Sequence, residues 1–386
     1  MTGPSNPTRR SCMHALCASG VQALLPATLW AAPTQASDSG TRPTAAWKAF
    51  SEQFIQPDGR VVSDDGALAR TYSEGQAYGL FFALISGEQA AFERILVWTE
   101  NNLCQGDMAR HLPAWLWGQR PDQQWGVIDP NAASDADVWI AYCLIEAGRL
   151  WKKRAYTAIG KALAQQILAK VCAPVPQLGL TLLPGPVGFA QADGVYKLNA
   201  SYSPLQVLQA LGQVDPAWLT VAQSSMQVIA GSSPRGVCAD WILWDGQRFR
   251  QDHQGEAQGR GGYNAIRVYL WAGMMHPQAP QRAPLLQLLA PMAQLVQENG
   301  VPPEYVDPWT LAVQGEGPPG FSAALLPFLQ ACHLPQVVAQ QLQRLHKQPV
   351  RATAYYEQCL QFFSNAWRQG SYAFGPQGQL LLGSEG

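Results

Sequence analysis

From Trp47 to the C-terminus, apolar residues recur at intervals of three and four, segment after segment, and this helical period limits the fold more than any other feature. It predicts helices over 45–55, 74–86, 89–103, 135–150, 153–171, 203–212, 216–230, 263–275, 282–299, 321–332, 335–347 and 352–368. Gly, Pro, Asp and Ser punctuate the gaps. Short strand-like pieces are expected at 180–183, at 240–244 with 247–250 across Asp245-Gly246, and at 371–374 with 379–382 across Pro376-Gln377-Gly378. No long Pro/Ser linker interrupts 37–386 and no repeat is visible, so this stretch reads as one all-α domain. Twelve helices can form stacked hairpins, a solenoid or a closed double ring, and periodicity leaves all three open.

Composition narrows the partner. With 26 Lys+Arg against 27 Asp+Glu, the net charge is −1, and the chain has no basic runs, which argues against nucleic acid. Charged residues are only 14% of a chain with 14 Trp, 12 Tyr and 12 Phe. Few charges and many rings suit an uncharged, polar, flat-faced ligand such as a sugar polymer, or serve a large aromatic core.

Residues 1–36 read as an export signal. Arg9 and Arg10 precede a mildly apolar stretch from Cys12 to Ala32, broken by Pro26, with a small-residue cleavage point after Ala36. Thr8-Arg9-Arg10 permits a twin-arginine reading, and a disordered extension is the alternative. No membrane span is expected, so the mature chain is expected to be periplasmic or secreted. The eight Cys are scattered, with no C-x-x-C pair or Cys/His cluster, so neither zinc nor another metal is expected, and no disulfide pairing can be chosen.

Three predicted helix starts carry polar groups in apolar sequence. Ser73 is expected to cap one helix and place Glu74 in its first turn, with Tyr78 and Phe81 on the same face. Ser134 is expected to cap a second, where Asp135, Trp139 and Tyr142 line one face and Asp137 another. Asn264 opens a third, with Arg267 and Trp271 following on its face. Each group also has a plain structural role, as a carboxylate beside a helix dipole or as an N-cap. If alternate helices of a ring run parallel, the three starts meet at one mouth. Carboxyls, Tyr, Trp and Arg gathered there are what hydrolysis of a glycosidic bond requires.

The runs Ser73-Glu74-Gly75-Gln76, Ala133-Ser134-Asp135-Ala136-Asp137 and Tyr263-Asn264-Ala265-Ile266-Arg267-Val268-Tyr269-Leu270-Trp271 resemble glycoside hydrolase family 8. Within it, the similarity is greatest to periplasmic endoglucanases associated with bacterial cellulose synthase. Leu112-Pro113-Ala114-Trp115-Leu116-Trp117-Gly118 and Gly320-Phe321-Ser322-Ala323-Ala324-Leu325-Leu326-Pro327 extend the resemblance, which covers roughly 45–385. It implies an (α/α)₆ barrel that cleaves β-1,4-glucan internally with inversion and needs no cofactor. It makes Glu74 the general acid, Asp135 the carboxylate that positions the scissile sugar, and Tyr202 and Arg267 members of the substrate cleft, to which the helix faces read above add Tyr78 and Trp139. Trp115 or Trp117 supplies a stacking platform. The cellulose synthase complex is the partner it suggests.

At one position the chain departs from the family. Asn264 stands where the general base is an Asp. A carboxamide oxygen is too weak a base to take a proton from the attacking water, although it can hydrogen-bond it. General-base help is worth ~10²–10⁴ in rate. Asp252 and Glu256 are the nearest substitute bases by sequence. The expectation is an endoglucanase with reduced or lost activity, and the alternative is an inactive β-glucan-binding protein of the cellulose export system. Xylan or chitosan is a further possible substrate, since one ring of helices serves several glycans.

Overall fold

The computed structural model describes residues 43–63, 68–255 and 257–383. Its helices are α1 (Thr44–Phe54), α2 (Ser73–Ile85), α3 (Gln89–Leu103), α4 (Ser134–Leu150), α5 (Arg154–Lys170), α6 (Leu205–Leu211), α7 (Ala217–Ser232), α8 (Ile266–Met274), α9 (Arg282–Asn299), α10 (Pro319–Ala331), α11 (Pro335–Lys347) and α12 (Tyr355–Arg368). The even-numbered helices form a ring: α2 packs on α4, α4 on α6, α6 on α8, α8 on α10, α10 on α12, and α12 returns to α2. Each odd-numbered helix lies outside a ring member, α3 on α2, α5 on α4, α7 on α6, α9 on α8, α11 on α10 and α1 on α12. This is an (α/α)₆ barrel.

The two rings follow from two kinds of helix. A helix apolar on every side must be enclosed, whereas one with an apolar stripe lies at a surface. In α2, twelve of the thirteen residues are buried, and in α8 all nine are. In α11 only Val337 and Gln341 are buried. Aromatic side chains fill the barrel: Phe81 stacks on Phe363 at 5.2 Å, and Trp139 meets Tyr78, Phe81, Trp271 and Phe363. Gln76 is the main polar group this deep in α2. Its amide donates to Thr99 Oγ1 at 2.8 Å and its oxygen accepts from the Val61 N–H at 2.6 Å, which ties α2 to its outer partner and to the preceding segment.

Short strands connect the helices. β1 (Thr71–Tyr72), β2 (Ala114–Gln119) and β3 (Trp125–Ala132) form an antiparallel sheet in that order. β4 (Cys172–Val175) pairs with β5 (Gly179–Leu182), and β6 (Tyr196–Leu198), β7 (Ile242–Trp244) and β8 (Phe249–Gln251) form a second sheet. β9 (Pro303–Val306) pairs with β10 (Val313–Glu316), and β11 (Tyr372–Phe374) with β12 (Leu380–Leu382). The two hairpins expected from their turns are present as β7–β8 and β11–β12. The sheet β1–β2–β3 and the pair β9–β10 were not anticipated.

The expected export signal over 1–36 and the candidate base Glu256 lie outside the described residues. No described helix is long and apolar enough to cross a membrane. The six described cysteines are free thiols, four of them buried.

Gly273 marks a close approach in the inner ring. A Cβ there would lie 2.2 Å from the Phe328 backbone nitrogen, so α8 and α10 meet backbone to backbone. Gly273→Ala should therefore destabilise, although Ala is favoured over Gly in a helix by ~1 kcal/mol. We expect a net loss of ~2 kcal/mol in urea unfolding, and an unchanged or raised midpoint would refute the close contact.

Candidate active site

The N-terminal ends of α2, α4, α6, α8 and α12 converge on one side of the barrel, around a cavity of about 550 Å³. Glu74 and Asp135 come from the first turns of α2 and α4, Tyr202 from the turn before α6, Asn264 and Arg267 from the start of α8, and Tyr355, Tyr356 and Glu357 from the start of α12. The three starts singled out in the sequence thus meet, as parallel alternate helices require.

Arg267 holds them together. Its Nη1 donates to Glu74 Oε2 at 2.7 Å, Asp135 Oδ2 at 3.0 Å and the Tyr78 hydroxyl at 3.3 Å. Its Nη2 donates to Asn264 Oδ1 at 2.8 Å and Ser201 Oγ at 3.0 Å. The Arg267 and Asp135 side chains are 4% and 5% exposed, while that of Glu74 is 26% exposed and is the one that meets solvent. Asn199 Nδ2 also donates to Asn264 Oδ1, at 3.3 Å, so the carboxamide oxygen serves two donors and its NH₂ is the end left for the cavity.

Burial raises the pKa of Asp135 to about 7, with the Glu74 charge as the next cause and Arg267 opposing both. Asp135 therefore stays partly protonated near neutral pH. The Tyr202 phenol is pushed well up, chiefly by burial, and stays a neutral hydroxyl.

Local folding differs from expectation at all three starts. Ser73 and Ser134 are already the first helical residues, and their buried hydroxyls make no hydrogen bond, so neither caps. Asn264 does not cap α8 either, because the turn containing it precedes the helix. Asp240 takes that role from a distance: its Oδ1 accepts from the backbone N–H groups of Gly262, Asn264 and Ala265 at 2.7, 3.1 and 2.7 Å. This frees the Asn264 side chain for Arg267. Sequence reasoning missed Asp240, whose signal was an acidic residue beginning a strand-like piece.

Several candidate ligands lie elsewhere. Tyr78 and Trp139 are 2% and 1% exposed, beneath the cavity floor in the aromatic core, so neither ring is available to a sugar. The face shared by Asp135, Trp139 and Tyr142 turns into the barrel; only its first residue reaches the cleft. Trp115 is on the cavity wall, stacked on Tyr72 at 5.7 Å, whereas Trp117 is not. Asp252 is withdrawn as a substitute base, since it is 2% exposed, paired with Lys197 at 2.8 Å and away from the cavity wall. Asp137 is fully buried with no hydrogen-bond partner for either oxygen, and burial holds it protonated by raising its pKa well above the usual range.

Tyr72, Tyr263, Tyr355, Tyr356 and Glu357 complete the wall. The last three open a helix expected over 352–368 and repeat the pattern used to find the other starts, a polar cluster before an apolar run. Glu357 accepts from the Gly320 N–H at 2.8 Å, and the Tyr356 hydroxyl donates to the Tyr263 carbonyl, so α10, α12 and the turn before α8 are joined at the rim.

An unfolded Asp releases its proton near pH 4, whereas Asp135 in the fold keeps it up to about pH 7. The stability this group contributes is full below about pH 4 and is lost as pH rises through about 7. The advantage of the unsubstituted chain over Asp135→Asn in urea unfolding should therefore shrink between those values, by on the order of 4 kcal/mol. A gap independent of pH would contradict the raised value.

Comparison with known proteins gives a consistent result. The family description "Glycosyl hydrolases family 8" matches residues 21–370. An endoglucanase of Xanthomonas axonopodis pv. citri (strain 306) is 43% identical over 380 residues, covering 97% of each chain. One of Salmonella typhi is 44% identical over 336 residues, 87% of this chain and 90% of that protein. The crystal structure of an endo-1,4-D-glucanase from Vibrio fischeri ES114 superimposes with a TM-score of 0.79 at 38% identity, covering 88% of this chain and 98% of that one. The endo-β-1,4-glucanase CMCax of Acetobacter xylinum gives 0.69 at 28% identity, covering 84% and 97%. Matched over this length, the chain belongs to glycosyl hydrolase family 8.

Proposed function

We propose that the cleft binds β-1,4-glucan and cleaves it internally with inversion, at a rate limited by the amide at position 264. The observation that carries this reading is the single guanidinium of Arg267, which holds Glu74, Asp135 and Asn264 on one cavity wall. The names of the related proteins support the substrate class.

In this reading sugar rings stack on Trp115, and Asp135 with Arg267 orients the unit at the scissile bond. Glu74, the more exposed carboxyl, protonates the glycosidic oxygen as the C–O bond breaks. Asp135, which keeps its proton up to about pH 7 beside Glu74, is the nearest source of that proton. Water attacks the anomeric carbon from the opposite face, and an inverting site must accept a proton from it. Asn264 lies across the Arg267 guanidinium from Glu74, where that water would stand. Its oxygen is engaged by two donors and its NH₂ is itself a donor, so it anchors water without deprotonating it. A carboxylate at 264 would keep the same two donors on one oxygen and offer the other to water. The N-terminal segment favours work outside the cytoplasm, alongside cellulose synthesis.

The state of Asn264 also favours a second reading, a β-glucan-binding protein without turnover. Reducing-sugar release from carboxymethylcellulose separates the two. Asn264→Asp should raise the rate ~10²–10⁴-fold, and adding Glu74→Gln should return it to baseline. Equal rates for the unsubstituted chain and Asn264→Asp would overturn the role given to position 264. Trp115→Ala should weaken cellotetraose binding about three- to tenfold by calorimetry. Undiminished binding would remove Trp115 from the subsites.

A further inference from the structure

We infer that the Trp-bearing face of the sheet β1–β2–β3 carries a second glucan-binding surface, a Trp125 platform backed by Trp117 that extends the cleft beyond Trp115; this rests on the reading of the cleft given above. Along β2, Ala114, Leu116 and Gly118 are buried, whereas Trp115, Trp117 and Gln119 are not. Alternate residues of a strand share a face, about 7 Å apart. The burial alternation of β2 continues through the irregularities in its pairing with β3, where the extra residues belong to β3, so Trp115, on the cavity wall, and Trp117 are consecutive on one track that leaves the cavity along the strand.

β3 lengthens the track. Trp125 pairs with Gln119 in register, and its indole stacks on that of Trp117 at 5.4 Å and 26°. The pair is rigidly held. The Arg60 guanidinium lies 4.4 Å from the Trp117 ring centroid and 5.0 Å from that of Trp125. Arg60 is itself fixed by Nε donating to Thr71 Oγ1 at 2.9 Å and by Nη2 donating to the Ala69 carbonyl. Trp98 closes the far side of Trp117 edge-on at 5.2 Å.

Trp125 nevertheless remains 49% exposed. A large apolar ring held at the surface by a cation and a second indole marks a binding site more than a packing residue. Its open face suits the C–H face of a pyranose, and preorganisation removes the cost of ordering it on binding. The salt bridge between Arg120 and Asp122 at 3.2 Å leaves the tip of this hairpin without net charge, which suits a neutral glucan. The occupant is thus the part of a long β-1,4-glucan chain that has already left the cavity beyond Trp115.

Trp125→Ala and Trp125→Phe test this, with hydroxyethylcellulose in affinity gel electrophoresis as the polymer and cellotriose in calorimetry as a ligand short enough to stay in the cleft. Trp125→Ala should weaken polymer binding about three- to tenfold, leave cellotriose binding unchanged, and be largely rescued by Phe, whose ring can still stack. Unchanged polymer binding in Trp125→Ala, or equal losses for polymer and trimer, would overturn the inference. If the unsubstituted chain binds neither ligand, the reading of the cleft itself fails, and this surface falls with it.

Discussion

A charge buried in a protein has to be answered by partners, and Arg267 is answered by five groups delivered from four neighbouring parts of the inner ring. Glu74 and Tyr78 come from α2, Asp135 from α4, Ser201 from the turn before α6 and Asn264 from the turn before α8. No two of the four turn-borne and carboxyl partners could be displaced without leaving this buried guanidinium, or a carboxyl beside it, short of partners. The chemistry and the closure of the barrel at this end are therefore the same constraint. That explains why α2 and α8, so apolar along their length, carry their one charged residue in the first turn.

The geometry of the ring makes this economical. The inner helices α2, α4, α6, α8 and α12 bring their N-termini to the cavity, and the outer helices return the chain to the other end. Backbone N–H groups and positive helix ends then gather where carboxyls and sugar hydroxyls need donors. Asp240 shows how specific the arrangement is, since one carboxylate oxygen satisfies three backbone donors at the start of α8 so that the neighbouring amide can face the cleft.

Helical period places all twelve described helices, and the polar residues at three of their starts single out Glu74, Asp135 and Asn264, which the fold brings to one cavity. The choice of a double ring over a solenoid did not come from periodicity. The distinction between α2, apolar all round, and α11, with a single stripe, was present in the sequence and would have sorted inner from outer helices. The depth of Tyr78 and Trp139 was not legible, because helical spacing tells which residues share a face but not where along that face the cavity ends. The sheet β1–β2–β3 was missed because β1 is two residues long and β2 is a short Trp-rich alternation after Pro113. The caps were misassigned for a different reason: Ser73 and Ser134 fit the local rule, but α8 is capped by an Asp more than twenty residues earlier in the chain, an interaction no local rule contains.

The clasp made by Asp240 also bears on the chemical lifetime of position 264. Spontaneous deamidation of an asparagine begins when the next backbone nitrogen attacks the side-chain carbonyl carbon to close a five-membered imide. Here that nitrogen belongs to Ala265, and its N–H is tied to Asp240 at 2.7 Å, while the carbonyl it would attack is fastened by Arg267 and Asn199. Ageing of the protein is thereby kept from turning this amide into an acid.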